Sequence, residues 1–185
     1  MNKKLILYFL IVLVLSAVFT GCSGKRNSFV LQSEAFVNNE RIPDKYCRGN
    51  VSGRENISLP FNWVNPPNDV LSFALIVHDP DGGNWIHWAV FNIPPNYSEI
   101  EENASGKNMP EGSIELNNQF RTFGYGGPEP PRGSGTHGYI ATLYALNTGS
   151  INDLVVYKSY AEINSILEGK VIAKADITGT YSASP

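Results

Sequence analysis

The chain has 185 residues, with 14 lysines and arginines against 17 aspartates and glutamates, a formal charge of −3 at neutral pH. That length suits one domain with a real hydrophobic core, and the absence of any Lys/Arg cluster argues against a nucleic-acid partner and against adsorption of the domain to an anionic membrane. With only Cys22 and Cys47 present, a disulfide framework is excluded.

Met1 to Lys4 carries two positive charges, Leu5 to Phe19 is almost unbroken apolar, and Phe19-Thr20-Gly21-Cys22 closes the run. A basic start, a hydrophobic stretch and small residues before a cut describe a secretory signal over residues 1–21. The cysteine after Gly21 resembles a bacterial lipobox, in which the thiol receives diacylglycerol before cleavage; Phe19 departs from the leucine usual three places earlier. The alternative is an uncleaved anchor helix, since Leu5 to Gly21 is close to the roughly 17-residue lower limit for spanning a bilayer. Either way the rest of the chain is expected outside the cytoplasm, held to the outer face of a membrane through Cys22 and a short polar tether to Ser28. The domain is then 29–185. Loss of Lys3 and Lys4 leaves 12 basic against 17 acidic residues, a charge of −5. Lipidation of Cys22 leaves Cys47 without a partner, expected buried as a small apolar group. Asn-x-Ser sequons occur at Asn50, Asn56, Asn96 and Asn103, relevant where the host glycosylates exported proteins.

Along the domain, Phe29-Val30-Leu31 and Ala35-Phe36-Val37 predict a strand that reverses at Asn38-Asn39. Ile57, Leu59, Phe61 and Trp63 alternate on one face of a second, which Asn65-Pro66-Pro67-Asn68 stops. Val70–Val77, Ile86–Ile93 and Tyr139–Leu146 are nearly continuous apolar runs of strand length, the pattern of central strands covered on both faces. Ala173, Ala175 and Ile177 alternate with polar residues in a late strand. One helix is signalled by Ser159 with Glu162 as a capping box, by Ile163, Ile166 and Leu167 as an apolar stripe, and by Gly169 as a stop. Strands dominate without βαβ alternation, so the expected fold is mainly β, a sandwich with one or two peripheral helices.

Polar chemistry gathers at strand ends. His78-Asp79-Pro80-Asp81 follows one apolar run, and Trp85-Ile86-His87-Trp88 opens the next. The stretch Gly124 to Tyr139 holds clustered glycines and prolines and leads into the third. Prolines stiffen such a loop and glycines let backbone N–H groups approach a ligand, so it can cradle an anion, although ordinary surface loops share this composition.

Together Asp79-Pro80-Asp81, His87-Trp88, Gly124-Tyr125-Gly126-Gly127-Pro128 with Pro130-Pro131, His137-x-Tyr139 and Thr178-Gly179-Thr180-Tyr181 resemble the phosphatidylethanolamine-binding protein family, in its prokaryotic Raf kinase inhibitor-like branch. Ile42-Pro43, Tyr46-Cys47 and Asn56-x-Ser58-x-Pro60 match it too, and the likeness spans roughly residues 28 to 182. The resemblance implies a large antiparallel sheet on a smaller one, with a shallow anion pocket at one end formed by Asp79, Trp85, His87, Gly127, Pro130, His137 and Tyr139. By their chemistry His87 and His137 would donate to phosphate oxygens, more strongly when protonated, so that binding strengthens in mild acid. Asp79 would orient a histidine, Tyr139 donate a hydroxyl, and Trp85 form an apolar wall. The Asp79–Pro80 bond is a candidate for cis geometry. Three departures stand out: a short turn through Gly82-Gly83-Asn84, an enlarged loop over 48–55, and Glu129 where relatives often carry cysteine or glycine. A carboxylate there repels an anion if it faces the pocket.

The reading that follows is a binding module without cofactor. It would take a small anion (phosphate, carboxylate or a phospholipid head group), and sequester it or dock on a protein target, an extracellular peptidase being the natural one. The alternative is a hydrolase in which Asp79, His87 and His137 ligate zinc; no compact ligand spacing supports it. A serine triad is weaker, because Gly133-Ser134-Gly135 lacks the nucleophile elbow. His78, Trp63 and Trp88 are expected to be structural, and Asp81 to cap its turn as readily as to touch ligand.

Overall fold

The computed structural model describes residues 28–152, 154 and 158–183. The expected signal, Cys22 and nearly all of the expected tether lie outside these. Among the described residues, eight strands and one α-helix follow in the order β1 (Val30–Gln32), β2 (Phe61–Val64), β3 (Ser72–Asp79), β4 (Trp85–Ile93), β5 (Glu99–Ile100), β6 (Ile114–Glu115), β7 (Thr136–Leu146), α1 (Tyr160–Leu167) and β8 (Val171–Ser182), with a 3₁₀ turn at Asp44–Tyr46. A three-stranded sheet runs β1-β2-β5 and a five-stranded one β6-β4-β3-β7-β8, all pairings antiparallel. No helix among the described residues is long and apolar enough to cross a membrane.

The unbroken apolar run of β3 reflects its place in the middle of the large sheet. Phe73, Leu75 and Val77 face the small sheet, where Phe61, Trp63 and Trp88 join them in the main core. Ala74 and Ile76 face the other way, against Ile163 and Leu167 of α1. Both faces are dry, so neither could be polar. The helix begins as expected: the Ser159 side chain accepts from the Glu162 N–H, and the Glu162 carboxylate accepts from the Ser159 N–H.

Two strands are shorter than the alternation suggests. β1 ends at Gln32 because the Ser33 hydroxyl accepts from the Ala35 N–H and donates to the Pro60 carbonyl, a local turn that competes with the ladder. β2 begins only at Phe61, after Pro60, which has no N–H to give. Its end matches expectation, with Asn65 in the left-handed region at φ 54°. Segment 38–42 lies along the outer edge of β8, where Ile42 donates to the Thr180 carbonyl and Thr180 to that of Glu40. Gly179 permits this approach, since a Cβ there would lie 2.5 Å from Ile42. Cys47 is fully buried, and burial pushes its thiol up to about 12.

Candidate functional site

Antiparallel pairing brings distant residues to one end of the large sheet. Asp79 closes β3 opposite Trp85, which opens β4, and His137 and Tyr139 stand at the start of β7, paired to Tyr181 and Gly179 of β8. There a cavity of about 250 Å³ has Asp79, Trp85, His87, Pro130, His137 and Tyr139 in its wall, together with Gly82, Phe120, Glu129 and Pro131. Gly127 is not in that wall. It lies behind, where a Cβ would collide with the Tyr46 carbonyl, and its N–H donates to the Asn56 side chain at 2.7 Å. Its role is to seat the loop rather than to meet a ligand.

His137 and Asp79 form a buried pair, Nδ1 to Oδ2 at 2.7 Å, with both side chains below a tenth exposed. The other Asp79 oxygen accepts from the Gly82 N–H at 2.8 Å, so one carboxylate holds both the imidazole and the turn. Asp81 is spent differently, on the Gly138 N–H at 2.8 Å, tying that turn to β7. The Asp79–Pro80 bond is trans, as is every peptide bond among the described residues. Asn84 in the left-handed region supplies the reversal that a cis bond was expected to give.

His137 Nε2 lies 2.9 Å from the Ser134 hydroxyl, so a Ser–His–Asp chain exists despite the missing elbow. That hydroxyl also donates to the Pro131 carbonyl at 2.8 Å. It has one proton, and a carbonyl oxygen can only accept, so the hydroxyl serves as a loop clamp and receives from Nε2–H. Both His137 nitrogens are therefore engaged within the protein.

His87 differs from expectation as well. It is 3% exposed, and Nδ1 donates to the Gly126 carbonyl at 2.6 Å, while the Gly126 N–H returns a bond to the His87 carbonyl at 2.9 Å. Burial lowers this imidazole to about 4, outweighing the Gly126 carbonyl and Asp79, which favour the charged form. Mild acid cannot charge it, so the expected strengthening of binding cannot come from His87.

The unspent donors are elsewhere. Tyr139 Oη and Trp85 Nε1 are buried and have no hydrogen-bond partner among the described residues. Burial pushes the Tyr139 phenol up, so its hydroxyl keeps its proton. Buried polar groups are nearly always satisfied, and both of these belong to residues of the cavity wall. Glu129 does reach the wall, but its carboxylate lies 3.4 Å from Arg48, which tempers its field.

Phe120 was not singled out from the sequence. Its ring packs edge-on against both Trp85 and His87, with centroids 5.4 and 5.5 Å away, and the Arg48 guanidinium covers it at 4.2 Å. Asn118 positions it: this fully buried amide donates to Thr122 and the Gly124 carbonyl and accepts from the Phe120 and Thr122 N–H groups. Asn117-Asn118 in a polar stretch was the available signal. Arg48, which opens the 48–55 segment, and Asn56, which follows it, both buttress the cavity. His78 stacks on Tyr160 of α1 at 4.2 Å, on the helix-covered face and away from the cavity. No cluster of three or more histidine, cysteine, aspartate or glutamate side chains among the described residues has metal-holding geometry.

Comparison with known proteins follows the same lines. The family model for phosphatidylethanolamine-binding protein matches residues 32–182. A UPF0098 protein of Methanothermobacter thermautotrophicus is 41% identical over 155 residues, covering 82% of this chain and 97% of the relative. The crystal structure of Escherichia coli YbcL, described as a member of the mammalian PEBP family, superposes with a TM-score of 0.79 at 30% identity, over 85% of this chain and all of that one. The CT736 homologue of Chlamydia trachomatis gives 0.72, also at 30%, over 85% and 99%. A carboxypeptidase Y inhibitor, solved with its cognate proteinase, gives 0.56 at 19%, over 85% and 84%, which bears on the fold alone.

Proposed function

The chain belongs to the phosphatidylethanolamine-binding protein family, and on that premise we propose that its cavity holds a small oxyanion (phosphate, carboxylate or a phospholipid head group) as a binding module without chemistry of its own. The observation that carries this is the pair of buried donors, Tyr139 Oη and Trp85 Nε1, both on residues of the cavity wall and both without a partner among the described residues. An oxyanion brings several acceptor lone pairs and would satisfy both. Calorimetric titration of the purified protein with inorganic phosphate and with phosphoethanolamine tests it. Saturable binding is expected, about tenfold weaker in Tyr139→Phe, the worth of one hydrogen bond to a charged partner. Equal affinity in wild type and Tyr139→Phe removes the reading. The zinc hydrolase is not favoured, because the His137 nitrogens and His87 Nδ1 are already hydrogen-bonded within the protein.

The module is further proposed to work outside the cytoplasm as a lipoprotein, on the strength of the Cys22 motif. Cys22→Ser should move it from the membrane fraction to the soluble fraction; retention in the membrane would point to the uncleaved anchor. By sequestering its ligand, or presenting it, such a module would regulate an exported protein, with a peptidase the target the sequence reading favours.

A further inference from the structure

The cavity offers one group of opposite polarity to its free donors. His87 lines it, yet Nδ1 and its proton are committed to the Gly126 carbonyl at 2.6 Å. The carbonyl cannot donate, so this bond fixes the tautomer of a neutral ring and leaves Nε2 as a lone pair. Phe120 and Tyr139 pack edge-on to that ring, 5.5 and 5.0 Å away, and hold it in place. Two carboxylates, Asp79 and Glu129, stand in the wall, and no lysine or arginine does.

Resting on the anion-site reading above, we propose that His87 acts as a proton acceptor toward the ligand, so that the cavity selects oxoacids retaining one acidic O–H. Those are phosphate monoesters and inorganic phosphate in their singly charged form. Fully deprotonated oxyanions, such as sulfate esters and phosphodiesters, present only lone pairs to Nε2. Each wall carboxylate is itself paired, Asp79 with His137 and Glu129 with Arg48, so the selection rests on the ligand O–H. The complement is then complete: Tyr139 Oη and Trp85 Nε1 donate to two ligand oxygens, and the ligand O–H donates to His87. The ionisable groups packed around this ring are Asp79 and His78 from β3, His137 and Tyr139 from β7, and Glu129 from the loop. Burial keeps His87 itself uncharged down to about pH 4, so between pH 5 and 8 the proton in question belongs to the ligand.

Phenyl phosphate, phenyl sulfate and methyl phenyl phosphate share a ring and, with phenyl phosphate singly ionised, a charge, and differ in the O–H. Titration of the whole protein at pH 5.5 should show phenyl phosphate binding about tenfold or more tighter than the other two, the scale of one charge-assisted hydrogen bond. Because a phosphate monoester loses its second proton near pH 6, that margin should shrink at pH 7.5. Any titration of the protein itself moves all three ligands together and cancels in the ratio. Vesicles carrying phosphatidic acid, set against soluble phenyl phosphate, tell a lipid-borne monoester from a free one. Independently, the ¹⁵N signals of His87 in the free protein should report a bare Nε2 from pH 6 to 7.5. Equal binding of the sulfate, a margin that ignores pH, or a protonated Nε2 each overturns the inference and leaves the anion site standing. Failure of all three ligands to bind removes the anion site, and the inference with it.

Discussion

Replacing Asp79 by alanine is expected to lower stability by about 3–5 kcal/mol, the usual consequence of breaking a buried pair by removing one partner. The residue makes two connections of different kinds. Oδ2 meets His137 at 2.7 Å and Oδ1 receives the Gly82 N–H at 2.8 Å, with the side chain 6% exposed. Its loss strands an imidazole that donates to nothing at Nδ1 and frees the turn joining β3 to β4. Urea unfolding followed by fluorescence would read the change as a lower midpoint at an unaltered slope. Asp79→Asn separates the parts, since an amide oxygen can still cap Gly82 while offering His137 no charge; an intermediate loss is expected. Asp81→Ala is the comparison, exposed and holding one N–H, at about 1 kcal/mol. If Asp79→Ala costs no more than Asp81→Ala, the buried pair is not what holds this end of the sheet.

Acid should weaken the fold well above the range in which carboxylates titrate. In the unfolded chain a histidine takes its proton near pH 6.5, whereas folded His87 declines one until about 4. Stability is therefore full above pH 6.5 and falls as pH drops toward 4, because the unfolded state binds a proton that the folded state refuses. One group with that gap amounts to about 3 kcal/mol, lost at up to roughly 1.4 kcal/mol per pH unit. Burial lowers His78 as well, which acts in the same direction. Unfolding midpoints measured every half unit between pH 7 and 4 would trace the decline, and His87→Gln should flatten it. A wild-type curve that is level down to pH 4.5 would contradict a buried neutral ring.

How far the chain could be read in advance differs from element to element. The apolar runs that became β3, β4 and β7 match the strands to within three residues at each end, since central strands covered on both faces leave no other pattern. Ser159 and Glu162 marked the helix start through a reciprocal bond that needs only local sequence. β5 and β6, two residues each, carry no periodicity and exist because longer neighbours offer them an edge. Phe120 went unnoticed for a related reason. Its position depends on Asn118, whose bonds become visible only after the loop has closed. At the cavity, residue identities were legible where motif order supplied them, but the direction of each hydrogen bond was not. Whether an imidazole nitrogen faces a carbonyl, a carboxylate or open space depends on how three strands and a loop meet, and that decides whether it gives or receives a proton.

His87 and Gly126 grip each other twice, through ring and carbonyl and again through backbone. The floor of the cavity is thereby part of the sheet, as stiff as the ladder beside it. The turns nearby are fixed differently: Gly83, Gly133 and Gly135 have open space beside them but hold a left-handed backbone, with φ of 75°, 79° and 87°, that a side chain would strain. Descendants of this chain can acquire new tastes at Glu129 and Pro131, which are exposed in the wall, while inheriting the base unchanged.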